Sequence, residues 1–223
     1  MRMMSLQTIK KTGRRTRRLI MAGSVVLSLM CIRVAAGETT GHLQKYLHDL
    51  HTLQVNFTQT LHNEQGEKLE TAEGVLYLQH PGKFHWAYGH PYIQKIITDG
   101  NTLWVYDEDL EQVTIRDVSE SINQTPAAVI IGNEDMEKHF VTREMGKIEG
   151  YDWVELTPRD TEAQYSSIRL GFDQDNLDMM ILHDNLGQVT RIDFSDASRN
   201  IQLDASLFSF EPPPGVDVVD DRE

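Results

Sequence analysis

In the stretch FHWAYGHPYIQKIITDGNTLWVYD, residues 84–107, large aromatics occupy alternate positions: Phe84, Trp86 and Tyr88, then Trp104 and Tyr106. Side chains two apart in an extended chain share a face, so each set covers one surface of a β-sheet. A surface that apolar is either a core or the wall of an apolar pocket. The period of two also runs through Val55, Phe57 and Leu61, through Val75 to Leu78, and through the segments 92–98 and 112–118. Asn63 to Gly66, Pro81-Gly82 and Asp99-Gly100 supply the turns between them.

Two segments break the pattern. Leu43, Tyr46, Leu47, Leu50 and Leu53 follow a helical spacing after Thr39-Thr40 and predict one short amphipathic helix. In TPAAVIIGNEDMEKHF, Thr125 suits a helix cap and Pro126 a first turn. Strands resume at 140–145, 153–156, 167–172, 179–183 and 189–194. So many hairpin-linked strands with so few helices predict a mainly β fold, an open, unclosed antiparallel barrel whose apolar concave face is covered by short helices. Leu76, Leu78, Phe84, Trp86 and Trp104 are expected to point inward and leave an apolar cavity. Phe57 and Tyr88 belong to the same surface. Leu43, Leu47 and Leu50, with Ala127, Val129, Ile130 and Ile131, are expected to form its cover and to move when a ligand enters.

The first 36 residues read as a secretory signal. Seven basic residues from Arg2 to Arg18 precede an apolar run from Leu19 to Ile32, and Val34-Ala35-Ala36 supplies a small-residue cleavage pattern. The export route, general or twin-arginine, stays open. Residues 37–223 then form one domain, in which no cysteine remains, because Cys31 lies in the leader. Disulfides, cysteine nucleophiles and zinc thiolates are excluded together. Removing the leader's eight basic residues takes the formal charge from −13 to −21, which disfavours nucleic acid and anionic lipid surfaces.

The sequence contains no Gly-x-Ser-x-Gly elbow, His-Glu-x-x-His pair or phosphate-binding glycine loop. Asp173, Asp175 and Asp178 lack the glycine and glutamate of a calcium loop and read as a solvated hairpin. His80, His85 and His90 read as turn and surface residues. His48 and His51 sit three apart on the helix with no third ligand evident. No cofactor or metal is expected.

The order of elements carries a resemblance. Pro81, Phe84, Trp86, Pro91, Asp99-Gly100, Leu103-Trp104, Tyr106 and Glu111-Gln112, with Phe57-Thr58-Gln59 before them and Thr125-Pro126 and FSFEPPPGVDVV after, resemble the LolA family of periplasmic outer-membrane lipoprotein carriers. The resemblance implies a monomeric periplasmic carrier that binds acylated lipoprotein cargo. It would accept that cargo from an inner-membrane ATP-binding-cassette release complex and pass it to an outer-membrane lipoprotein receptor. The family has arginine where this chain has His80, so His80 is expected at the rim as a weaker lid latch that tightens as the pH falls through its pKa, ordinarily about 6.5. A carrier of another apolar molecule such as a glycolipid, a periplasmic enzyme of barrel form, or an adaptor presenting the sheet edge are the alternatives. Binding of acyl chains needs no catalytic residue, since each buried methylene contributes about 0.8 kcal/mol.

Overall fold

The structure is a computed structural model that describes residues 41–118, 129 and 136–222. The leader, Ala127, Ile130 and Ile131 lie outside the described residues. Helix α1 (His42–Asp49) is followed by six strands, β1 (Thr52–His62), β2 (Lys68–Gln79), β3 (Lys83–His90), β4 (Gln94–Thr98), β5 (Thr102–Asp107) and β6 (Gln112–Asp117). A single helical turn, α2 (Met136–His139), leads into β7 (Phe140–Ile148), β8 (Tyr151–Pro158), β9 (Tyr165–Asp173), β10 (Asn176–Asp184) and β11 (Val189–Arg199). A 3-10 turn at Ala205–Phe208 and β12 (Asp217–Asp220) follow.

All twelve strands join one sheet in the order β12-β6-β5-β4-β3-β2-β1-β11-β10-β9-β8-β7. The pairing of β1 with β11, Phe57 opposite Phe194, links the first meander to the second. No pairing joins β7 to β12 among the described residues, so the barrel is open. Its one parallel contact is β12 on β6, an edge strand that the sequence pattern did not reveal.

The helix is shorter than its leucine spacing predicts. Leu50 is already extended, and Leu53 belongs to β1. The cause is Asn200, at the far end of β11. Its side-chain oxygen accepts from the amides of His51 at 2.8 Å and Thr52 at 3.4 Å, while its amide nitrogen donates to the Asp49 carbonyl at 2.9 Å. One side chain thereby satisfies groups that a helix end leaves open and turns the chain into β1.

Alternation sorts the side chains onto two faces. Leu53, Val55, Phe57, Leu76, Leu78, Phe84, Trp86 and Leu103 join Val154, Leu156, Ile168, Leu170 and Met180 in one inner cluster, on which Leu43 and Tyr46 of α1 and Leu50 just after it pack. Trp104 is not among them. It stands opposite Ile97, which is paired with His85, so it faces away from Phe84 and Trp86. There it packs with Tyr106, Val113 and Ile115 beneath Phe210 and Val216 of the C-terminal segment. Both faces of β5 are apolar because both are covered, and period-two spacing alone cannot say which aromatic goes in.

Gly74 makes the inner aromatic packing possible. It lies between Phe57 on β1 and Tyr88 on β3, whose rings meet edge to face at 5.2 Å across it. A Cβ there would overlap the Ala87 carbonyl oxygen and come within 2.7 Å of the Phe57 ring. Backbone must move to admit it. Gly74→Ala is expected to cost about 1–3 kcal/mol as overpacking, read as a lowered urea midpoint; an unchanged midpoint would show that the strands give way freely.

Candidate functional site

Beside α1 the inner face opens into a cleft of about 870 Å³. Leu43 and Leu47 of α1, with Leu50 just after it, line one side, and Met136 of α2 and Phe140 of β7 complete the apolar lining. Gln44, His48, His51, His80, Glu144 and Arg159 contribute the polar lining. The cleft therefore mixes apolar and polar groups on both walls, and its size is that of a small-molecule or single-chain site.

The residues expected from sequence to line a cavity divide accordingly. Leu43, Leu47, Leu50 and His80 line the cleft. Phe57, Leu76, Leu78, Phe84, Trp86, Tyr88 and Val129 lie in or against the inner cluster, where the ring centroids of Phe57 and Trp86 are 5.0 Å apart. Leu43 and Leu50 belong to both sets, so the helix is the partition between the open cleft and the packed interior. Met136, Phe140 and Arg159 escaped the sequence reading. Phe140 is followed on its face by Thr142 and Glu144, which leaves no apolar period to detect.

α1 is fastened on its other side. Arg199 sits 4.7 Å over the Tyr46 ring and donates to the Asp175 carbonyl at 2.8 Å, while Lys45 pairs with the Asp175 carboxylate at 2.7 Å. Burial pushes the Tyr46 hydroxyl up to about 12, so it stays neutral in this seam. With Asn200 holding the helix end, the side of α1 facing β9 to β11 is cross-linked by polar contacts, while the cleft side carries Leu43 and Leu47 together with Gln44 and His48.

His80 occupies the rim of the cleft, its backbone amide donating to the His51 carbonyl at 2.8 Å. Its Nε2 is buried without a hydrogen-bond partner. Burial, and then the neighbouring His51, hold the imidazole below its ordinary value of 6.5. This reverses the sign expected from sequence: protonation charges a desolvated ring that has no acceptor at Nε2, and so opposes the packed state rather than tightening it. His85 lies apart, on the outer face, 5.8 Å from the Tyr77 ring. No group of three metal-ligating side chains occurs among the described residues.

Comparison with known proteins adds the relationship. Residues 48–211 match the family described as outer membrane lipoprotein carrier protein LolA. An outer-membrane lipoprotein carrier protein of Methylococcus capsulatus is 40% identical over 201 residues, 89% of this chain and 97% of its own. One from Nitrosospira multiformis is 41% identical over 180 residues, 80% of this chain and 87% of its own. Among solved structures, an uncharacterized conserved protein from Thermus thermophilus shares the fold with a TM-score of 0.51 at 14% identity, over 80% of this chain and 94% of that one.

Two outcomes are expected from this geometry. Asn200→Ala should speed amide exchange across residues 42–49 by about tenfold, the equivalent of one or two net hydrogen bonds; unchanged exchange would mean that packing alone holds α1. The depressed His80 favours its neutral form when folded, so its contribution to stability is full above about pH 6.5 and is lost as the pH falls through the lower folded value. Urea midpoints between pH 8 and 5 should fall, and His80→Gln should flatten that slope in part, because His85 and His183 are depressed in the same direction. A slope identical to wild type would remove His80 as the cause.

Proposed function

The chain belongs to the LolA family of outer-membrane lipoprotein carriers, and from that premise we propose that the cleft beside α1 receives the acyl chains of a lipoprotein. The observation that carries this reading is the division of the cleft wall. Leucines of α1 and Phe140 offer hydrocarbon contact, while Gln44, His48, His51 and Arg159 of the same lining offer polar partners for the ester and amide carbonyls of an acylated cysteine. Ten buried methylenes contribute about 8 kcal/mol, the scale of a micromolar affinity. That suffices for a carrier that must also release.

Loading follows from the way α1 is held. A chain entering the cleft passes between Leu47 and Phe140 and turns the helix about its Arg199 seam, which gives access to the inner cluster behind Leu43 and Leu50. Release is the reverse, driven by the inner apolar surfaces closing on one another. The family is one of carriers, and this reading requires no catalytic residue.

We extend the reading to the periplasm, to an ATP-driven inner-membrane release complex as donor and to an outer-membrane receptor as acceptor. Its supports are the basic, then apolar, then small-residue leader and the formal charge of −21 without it, which limits retention on anionic membranes. No helix among the described residues is long and apolar enough to cross a membrane.

Native mass spectrometry of the carrier mixed with a diacylglyceryl-cysteine peptide tests the assignment. Leu47, partly buried at the edge of the inner cluster, is a better probe than Trp86, which is 3% exposed and whose replacement would damage the core itself. Leu47→Asp should keep the circular dichroism of the wild type and weaken peptide loading by about tenfold or more, since a carboxylate would have to be desolvated against the acyl chain. Wild-type loading by the variant would move the site elsewhere, and co-purification of free lipid alone would indicate a different apolar cargo.

A further inference from the structure

The carrier reading accounts for acyl chains but leaves the attached polypeptide without a path. β7 is the last strand of the sheet, and no strand pairs with its outer edge among the described residues. The same strand forms one wall of the cleft through Phe140, Val141, Thr142 and Glu144. Anything tethered to a molecule in the cleft therefore leaves beside a sheet edge with which no described strand pairs.

The edge is regular only in part. From Phe140 to Glu144 each residue stands opposite one residue of β8, from Pro158 to Val154. Between Glu144 and Gly146 the register shifts, and Gly146 has a φ of +78°, so the strand bends away. Bulges and lysines commonly protect a sheet edge from further pairing. Here the bulge protects the distal half, away from the cleft. The cations of β7 itself are paired off its edge: Arg143 is drawn onto the outer face by Glu155 at 2.6 Å, and Lys147, beyond the bulge, lies 4.0 Å from Asp152, while Lys138 and His139 precede the strand. The opposite edge is different in kind, four residues of β12 bearing Asp217 and Asp220, with Asp221 next to them.

We propose that the extended N-terminal stretch of the cargo polypeptide, the residues directly after its acylated cysteine, adds to the sheet along residues 140–144 of β7. This rests on the acyl-chain reading of the cleft and names what holds the rest of the same ligand. A strand added to an edge is recognised through its backbone, with side chains alternating outward, so the contact accepts many sequences. A carrier with varied cargo needs that tolerance. The regular stretch ends at the bulge, which limits the contact to about five cargo residues at one residue per position.

Two diacylglyceryl-cysteine peptides test this with the whole mature chain, one carrying two further residues and one carrying eight. Both should load the cleft in native mass spectrometry. The longer should bind about tenfold tighter, the worth of one or two net hydrogen bonds. It should also protect alternate amides of residues 140–144 from exchange, which the shorter does not. N-methylation at alternate residues of the long peptide should abolish both gains. Equal affinity and equal exchange with the two peptides would overturn the proposal while leaving the acyl site standing. So would amides at 140–144 that are already protected in the empty carrier, which would mean that the chain covers its own edge, or protection that rises with protein concentration, which would mean that a second copy does. Failure of both peptides to enter the cleft would overturn the acyl reading and the strand proposal together.

Discussion

An apolar sheet face that cannot close on itself must be covered, and the rest of this molecule follows from how little is available to cover it. Twelve strands at about 4.8 Å spacing make a sheet more than 50 Å wide. An eight-residue helix is about 12 Å long. Curvature resolves the mismatch: the sheet wraps until Val154 and Leu156 of one meander join Leu76 and Phe84 of the other in a single cluster. α1 and the buried Val129 help to cover the remaining opening, and a cleft persists beside α1 and β7. The site is what the core leaves uncovered.

The distribution of polar contacts around α1 gives that opening a direction. Arg199, Asn200, Lys45 and Asp175 are concentrated on the side facing β9 to β11, and each loses something specific if the helix departs. The cleft side offers Leu43 and Leu47 beside Gln44 and His48, and the leucine contacts are non-directional and can be replaced by those of any hydrocarbon. A helix held this way can exchange one apolar neighbour for another without breaking its anchorage. The difference between a hinge and a latch thus lies in the chemistry of two faces of one short helix.

Much of the sheet was legible because alternation and turn residues act locally. Asp99, whose carboxylate accepts from Asn101 and Thr102, and Gly100 with a φ of +103° mark their hairpin regardless of tertiary context. Trp104 was misplaced for a non-local reason, the C-terminal segment that makes the outer face of β5 apolar too. The end of α1 was misread because Asn200, about 150 positions away, sets it. In the site, Leu43, Leu47 and Leu50 were visible through helical period, but Met136, Phe140 and Arg159 come from segments with no periodic signal and meet the leucines only through the curvature of the sheet. His80 lines the cleft, and the sign of its pH effect depends on burial, which no motif records.

The outer cluster has a consequence for the order in which the chain matures. Trp104, Tyr106, Val113 and Ile115 are complete as strands once residue 117 has been made, but Phe210, Val216 and β12 are the segments that cover them. Nearly a hundred residues separate the greasy surface from its shield. During synthesis, which delivers the chain from its N-terminus, that surface and the edge of β6 stand open until the last segment arrives. The vulnerable species is therefore the nascent protein, and holding chaperones that recognise aromatic β-surfaces have their longest window of access at β5 and β6.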